Sequence, residues 1–232
     1  MVFRSNYVRL NVEFETKTGV VTRLIRRKII VGDYPIGDRI PVDRVAAELH
    51  VSQTPVREAL RILEAEGYVE SLPHQGFQVA SPDTSNLSDI FGLLEIIDGY
   101  AARLAAKRIT HENLANLEEL HARMIESVKQ KDDRLVRALN LEFHETIYMA
   151  TEVPKLISLL NFFWATARWD ILSTHPDRMP RTLQEHQAVL DALRRRDPDA
   201  ASAALAAHAR SCEYDSMELE KLCQAGGRGR GD

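Results

Sequence analysis

A run of short polar residues stands out in the first third of the chain. Ser52, Gln53 and Thr54 come directly before Pro55, a residue that favours the first turn of a helix, and Arg57 follows one turn later. A helix N-terminus directed into the major groove of DNA offers short side chains to base edges and backbone N–H groups to phosphate. An arginine one turn in can bond guanine O6 and N7 or hold a phosphate group. These residues therefore predict a contact with double-stranded DNA.

Three histidines and an asparagine form the second group of residues that could do chemistry. Asn140 and His144 stand four residues apart in a helical segment and so share one face of it. His186 and His208 fall in two later helical segments. Imidazole is the commonest metal ligand in proteins, but a single histidine is more often structural. The residue types alone leave both interpretations open.

The elements that would position the polar run are three short helices and a β-hairpin. Apolar residues at helical spacing predict helices over 20–31, 41–49 and 54–66. Alternating residues predict strands over 68–72 and 77–80. A tight turn joins the second and third helices. This order of elements predicts a winged helix-turn-helix.

From residue 86 onward the chain shows only helical periodicity. The predicted helices span 86–108, 111–129, 133–150, 154–174, 180–196 and 198–222. Their proposed N-caps are Thr110, Asp132 and Asp197, and their proposed first-turn prolines are Pro154 and Pro198. We therefore predict a mainly α protein. Its domains are a winged helix-turn-helix with an N-terminal arm over 1–82, an all-α six-helix bundle over 83–224 and a disordered tail over 225–232, with a linker at Ser81 to Ser85.

Composition excludes several classes of protein. No stretch of the 232 residues approaches the roughly 20 consecutive apolar residues that span a bilayer, so we predict no membrane contact. Both cysteines, Cys212 and Cys223, lie in the last helical segment, which suits a reducing cytoplasm. The net charge of −4 does not by itself indicate a nucleic-acid binder, so local clusters of basic residues matter more.

The segment Ser52-Gln53-Thr54-Pro55-Val56-Arg57-Glu58-Ala59-Leu60 resembles the start of the recognition helix in the GntR family of regulators. The resemblance covers roughly residues 20–80 and implies a DNA-binding transcriptional regulator, with the tip of the wing in the minor groove. The DNA contacts it implies are Arg44, Ser52, Gln53, Thr54, Arg57, Gln75 and Gly76, with His74 a possible addition. Arg44 and the basic stretch 23–28 are expected to bind phosphates. The family often has arginine where this chain has Gln53.

The later helices are similar to the FCD type of GntR effector domain over about residues 85–222. In that group a carboxylate or amide and three histidines hold a divalent metal, and the resemblance implies the ligands Asn140, His144, His186 and His208. Zn²⁺ or Ni²⁺ fits imidazole ligands, with a position left for a small carboxylate effector. Many relatives have aspartate where this chain has Asn140, so one negative charge is lost.

The same resemblance implies a homodimeric repressor whose operator affinity depends on the effector. Arg103 and Arg168 are candidate partners for the effector carboxylate, and surface charges are the alternative for both. Leu94 stands where relatives often carry arginine. The remaining histidines, His50, His111, His121 and His175, are predicted to lie on the surface.

Two other functions use the same residues. Three imidazoles with an open position also describe a metal-dependent hydrolase, but His144-Glu145-Thr146-Ile147-Tyr148 lacks the second histidine of HExxH. The second alternative is a dimeric regulator that senses neither metal nor ligand. We predict a regulator and not an enzyme.

Overall fold

The computed structural model describes residues 16–73, 75–81, 86–166 and 178–227, and it begins with a winged helix-turn-helix. The elements are α1 (Lys17–Ile30), β1 (Arg39–Ile40), α2 (Val42–Glu48), α3 (Gln53–Ala65), β2 (Val69–Leu72) and β3 (Gly76–Val79). The strands form an antiparallel sheet in the order β1-β3-β2, with Ile40 opposite Phe77 and Val69 opposite Val79. The predicted helices and hairpin are confirmed, and β1 was not predicted.

Helix α3 is held by an apolar stripe on one face. Val56, Ala59, Leu60 and Leu63 recur at intervals of three and four residues, and all four are buried. Helix α1 packs along α3, where the Thr18 hydroxyl donates to the Glu58 carboxylate at 2.8 Å. The opposite face of α3 is left to solvent.

The C-terminal domain contains helices only in its described part. They are α4 (Leu87–Arg108), α5 (His111–Gln130), α6 (Asp133–Met149), α7 (Pro154–Thr166), α8 (Arg178–Arg194) and α9 (Pro198–Gly227). The predicted N-caps are confirmed, since Thr110, Asp132 and Asp197 accept backbone N–H groups from Asn113, Leu135 and Ala200. Helix α9 continues to Gly227, into the predicted tail. His74, residues 82–85 of the linker, Arg168, His175 and residues 228–232 lie outside the described residues.

Close packing of α4 on α9 organises the bundle. A Cβ atom at Gly99 would lie 3.2 Å from the Ser202 carbonyl oxygen and 3.3 Å from the Ala206 Cβ, so a larger residue would require the two helices to shift apart by a few tenths of an ångström. Helix α8 packs between α9 and α5, and α6 packs against α5 and α4. Helices α6, α8 and α9 therefore enclose a common interior.

The winged domain rests on α6 through the end of α1. An Arg137 guanidinium N–H donates to the Val31 carbonyl oxygen at 3.0 Å, and Arg134 forms an ion pair with Asp33 at 2.6 Å. Gly32 has a φ of +87°, a conformation that glycine adopts easily and that lets the chain turn away from the end of α1. A Cβ atom at this position would lie 3.7 Å from the Arg137 guanidinium. None of the helices in the described ranges has the length and apolar character that a membrane crossing requires.

Candidate DNA interface and metal centre

The N-terminus of α3 is open to solvent. Ser52, Gln53, Thr54 and Arg57 are all exposed. Ser52 is the N-cap residue but makes no side-chain capping hydrogen bond, so its hydroxyl does not occupy the first-turn N–H groups. The polar run therefore presents both side chains and backbone donors outward, as a contact with DNA requires.

The arginines of this domain divide into paired and unpaired groups. Arg44 and Arg57 are exposed and make no ion pair or hydrogen bond with any residue that the structure describes. Arg26 instead is buried and its Nη2 contacts the Glu66 carboxylate at 2.7 Å. The expectation that the whole 23–28 stretch binds phosphate is therefore wrong for Arg26, because its charge is already neutralised inside the protein.

The other charges of that stretch also have partners within the chain. Lys28 pairs with Glu48 at 2.5 Å, and Arg27 lies 3.6 Å from the Glu142 carboxylate of α6. Both contacts are partly exposed, so each adds little to stability. They connect α1 to α2 and α6, and a phosphate contact by Arg27 and Lys28 stays a prediction.

The wing carries Gln75 and Gly76 at its exposed turn, where the resemblance predicts a minor-groove contact. The Arg39 guanidinium donates to the Gln75 side-chain carbonyl. Arg39 is exposed at the base of the same hairpin and was missed in the sequence. Only the pairing of β1 with β3 brings it to the wing, and a two-residue strand gives no periodic signal.

His144 of α6, His186 of α8 and His208 of α9 meet in the interior of the bundle. One potential ligand nitrogen from each lies within 4.8 Å of those of the other two. The ring centroids are 5.2 Å apart for His144 and His186, 5.1 Å for His144 and His208, and 4.8 Å for His186 and His208. All three side chains are buried. The predicted trio is therefore brought together by three different helices.

Buried atoms without partners mark the same place. Neither ring nitrogen of His186, nor the Asn140 Oδ1 atom, has a hydrogen-bond partner among the described residues. Leaving such a group unsatisfied in the interior costs about 1–3 kcal/mol. Burial lowers the pKa of His186 and of His144 well below the usual value, so both imidazoles are neutral, which is the form that binds a metal. The residues present fit a divalent metal.

Hydrogen bonds around His144 select one of its nitrogens as the ligand. The Tyr148 hydroxyl donates to Asp98 Oδ1 at 2.7 Å and lies 3.3 Å from His144 Nδ1. Since that hydroxyl has a single hydrogen, His144 Nδ1 must donate to it, and the lone pair is left on Nε2. Burial raises the pKa of Asp98 to about 7, while the bond from Tyr148 favours its ionised form.

His208 has a carboxylate behind it. Its Nδ1 lies 2.7 Å from Glu185 Oε2, an arrangement that orients an imidazole so that Nε2 faces a metal. Burial alone lowers the pKa of His208, but the Cys212 sulfur and the Glu185 carboxylate raise it to about 9. His208 therefore holds a proton at neutral pH that a metal must displace.

A cavity of about 30 Å³ adjoins the trio and is lined by Asn140, His208 and two arginines. Arg178 is 1% exposed and donates to Glu185 Oε2 at 3.0 Å and Ser211 Oγ at 2.8 Å. Arg137, which holds Val31, is the second. Sequence reasoning missed both, because a charged residue on a helix predicts a surface position.

Other predicted positions lie elsewhere. Arg103 pairs with Asp199 at a half-exposed site and does not line this cavity, which matches the surface alternative for it. Leu94 is fully buried in the core. His121 was predicted to lie on the surface, and this is wrong. It is buried, its ring lies 6.4 Å from that of His186, and its Nε2 is 2.9 Å from the Leu183 carbonyl oxygen.

The chain is similar to several bacterial regulators. It is 29% identical over 197 residues to a probable D-xylose utilization operon transcriptional repressor of Paenarthrobacter nicotinovorans, covering 83% of this chain and 87% of that protein. It is 29% identical over 205 residues to the Exu regulon transcriptional regulator of Escherichia coli K12, covering 79% and 78%. The solved structure of E. coli McbR/YncC superposes with a TM-score of 0.73 at 22% identity, over 90% of this chain and 99% of that one, which supports the fold.

Two domain families match the chain. The FCD domain matches residues 89–211, more than half of the chain, and the family of bacterial regulatory proteins called gntR matches residues 17–79. The matched families and relatives are regulators, which confirms the prediction of a regulator over that of a hydrolase. The chain therefore belongs to the gntR family of bacterial transcriptional regulators, in the group that carries an FCD domain.

Proposed function

We propose that this regulator is a homodimeric repressor that binds a small carboxylate at a metal centre in its FCD domain and changes its operator affinity in response. The observation that carries the proposal is the buried trio His144, His186 and His208, in which His186 has two ring nitrogens without hydrogen-bond partners among the described residues. A folded protein rarely leaves such atoms unsatisfied unless a ligand or metal completes them.

Asn140, His144, His186 and His208 would hold the metal, and Zn²⁺ or Ni²⁺ suits this donor set. A bound metal would supply positive charge and an open position for a carboxylate oxygen. Tyr148 and Glu185 would keep the Nε2 atoms of His144 and His208 directed to it. Asn140 brings no charge, so metal affinity should be lower than with aspartate at this position.

The carboxylate is inferred from the two guanidinium groups that line the cavity beside the trio. Arg178 and Arg137 are both fixed by hydrogen bonds, to Glu185 and Val31 respectively, so their charges are preorganised. A planar guanidinium can bind a carboxylate through two parallel hydrogen bonds. Arg137 replaces Arg103 as our candidate effector contact, because Glu185 and Ser211 already satisfy the Arg178 guanidinium. Arg168 stays a prediction outside the described residues.

The size and the walls of that cavity suggest how effector binding would change the affinity for DNA. About 30 Å³ holds water but not a carboxylic acid, so an effector must push the walls apart. One wall is Ile30 at the end of α1, and another is Arg137, whose guanidinium holds the Val31 carbonyl oxygen. An effector that draws Arg137 towards its own carboxylate would weaken this link between the two domains. Known coupling energies of about 1–3 kcal/mol correspond to roughly 5–150-fold in operator affinity.

The homodimer is inferred from an apolar stripe on α4. Leu93, Ile96 and Tyr100 recur at intervals of three and four residues and are 48%, 70% and 54% exposed. A second copy is the occupant that fits, because a two-fold dimer presents two α3 helices to successive major grooves of a palindromic operator. Repression is the activity named for the D-xylose relative, and operator binding implies a cytoplasmic location.

The test measures operator affinity by fluorescence anisotropy, on DNA selected by the protein from random sequence. Small mono- and dicarboxylates are added with and without a chelator. We expect at least one acid to shift operator affinity at least fivefold only when metal is present. His186→Phe keeps the stack on Phe143, whose ring lies 4.2 Å away, and should abolish the shift. If none of the acids changes the operator affinity of metal-loaded protein, the alternative of a dimeric regulator that senses no ligand is favoured.

A further inference from the structure

The outer face of the wing carries a row of polar side chains across its three strands. Arg39 of β1 stands opposite Gln78 of β3, and Gln78 stands opposite Glu70 of β2. Side chains directly opposite each other in an antiparallel sheet lie on the same face of it. Their neighbours Ile40 and Phe77 are buried and belong to the inner face. Arg39 therefore lies on the solvent side of the wing.

Arg39 and Gln75 form a wing pair at the exposed turn. The Glu70 carboxylate accepts from the Gln78 side-chain amide at 2.5 Å, whereas the Arg39 guanidinium donates to the Gln75 side-chain oxygen. Arginine has only N–H donors, so the Gln75 oxygen must face Arg39 and its NH₂ group must point away from it. The bond leaves most guanidinium N–H groups available. The wing pair therefore presents hydrogen-bond donors to whatever approaches the turn.

The minor groove of DNA discriminates such donors by base pair. An A·T pair presents only the acceptors adenine N3 and thymine O2, whereas a G·C pair adds the guanine N2 amino group, which is itself a donor. A donor placed against this amino group has no acceptor. A·T-rich segments also have a narrow minor groove with a more negative potential, which attracts arginine. The wing pair therefore suits A·T pairs.

The wing stands beside the reading helix. Helix α3 ends at Ala65, β2 begins at Val69, and the two elements contact each other. When the N-terminus of α3 lies in the major groove, the adjacent groove of the duplex is the minor groove, which an exposed hairpin beside the helix can reach. The wing pair would therefore meet base pairs outside those that α3 contacts.

We propose that the wing pair reads the minor groove and selects A·T over G·C pairs at the flanks of the operator. Arg39 fixes the orientation of the Gln75 amide, and Gln75 holds the guanidinium at the turn. The inference rests on the proposed operator contact by α3, but it assigns a separate set of base pairs.

The test uses full-length protein and the operator that it selects from random sequence. Three duplexes share the selected central sequence and carry A·T, G·C or inosine·cytosine pairs at the flanks. Inosine lacks the guanine N2 amino group but presents the same groups as guanine in the major groove. We expect anisotropy to show that A·T and inosine·cytosine flanks are bound at least about fivefold more tightly than G·C flanks.

Two arginine variants separate the wing pair from a general effect of charge. Arg39→Met removes the guanidinium and releases the Gln75 amide, so the three duplexes should bind alike while the preference for the central sequence remains. Arg61→Met is the matched control, because it removes an exposed arginine of α3 outside the wing and should keep the flank preference. Both variants should unfold at the wild-type temperature, since both side chains are exposed.

Three results would overturn the proposal while a selected central operator remains. They are equal affinity of wild-type protein for the three duplexes, binding of the inosine·cytosine duplex only as weakly as the G·C duplex, and an unchanged flank preference in Arg39→Met protein. Failure to select any operator would overturn the proposed function and this inference with it, so the two failures are distinguishable.

Discussion

Arg57→Ala is the variant that most sharply separates DNA reading from folding. Arg57 is exposed and has no partner among the described residues, so its removal costs the folded protein no internal contact. A base-reading arginine contributes about 1–3 kcal/mol per site. A two-fold dimer loses this contact twice, which gives about 2–6 kcal/mol, or at least roughly 30-fold in operator affinity.

The assay is anisotropy with labelled operator at several salt concentrations, together with thermal unfolding. Arg195→Ala is the control, because Arg195 is exposed in the helical domain and its loss changes net charge equally. We expect Arg195→Ala to bind as the wild type does. If Arg57→Ala binds operator within twofold of the wild type while both unfold at the same temperature, the assignment of α3 as the reading helix is refuted.

Three further variants test the helical domain. The pKa of His208 is about 9, so wild-type protein should release roughly one proton per metal ion bound at pH 7.5. Glu185→Gln removes the carboxylate that helps to hold this proton, and calorimetry should therefore detect fewer released protons in the variant. Because metal competes with this proton, wild-type metal affinity should fall as pH falls below about 9. Arg137→Met breaks the bond to Val31 and should reduce the effector-induced change in operator affinity while metal content stays constant. Ile96→Glu places a charge in the α4 stripe and should give monomers by sedimentation without loss of helix content.

Each of these expectations has an outcome that contradicts it. Equal proton release in Glu185→Gln would mean that His208 is neutral before metal binds. An unchanged effector response in Arg137→Met would place the coupling in other contacts. A dimeric Ile96→Glu variant would exclude the α4 stripe as the interface.

Local signals in the sequence predicted most of the elements. The Thr110 and Asp132 caps, together with Pro154 and Pro198, each act within one helical turn, so the sequence places the helix starts correctly. The polar run before α3 is equally local. The histidine trio depended instead on a family resemblance, because nothing local relates positions on α6, α8 and α9.

Long-range packing accounts for what the sequence did not reveal. Arg26 is buried because Glu66, forty residues later, neutralises it, and Arg178 is buried because Glu185 and Ser211 satisfy its guanidinium. Such partners have no fixed spacing, so a charged residue in a helix predicts a surface position. His121 was misplaced for the same reason, since its partner is a carbonyl oxygen of α8.

Metal content per protomer tests the central claim most directly. Protein purified without chelator, loaded with Zn²⁺ or Ni²⁺ and dialysed, should carry close to one ion per protomer by mass spectrometry. His186→Phe should carry almost none, whereas His121→Phe, which changes the neighbouring buried histidine outside the trio, should retain the ion. Wild-type protein that takes up no ion, or His186→Phe protein that binds as much as the wild type, would contradict a metal centre in this domain.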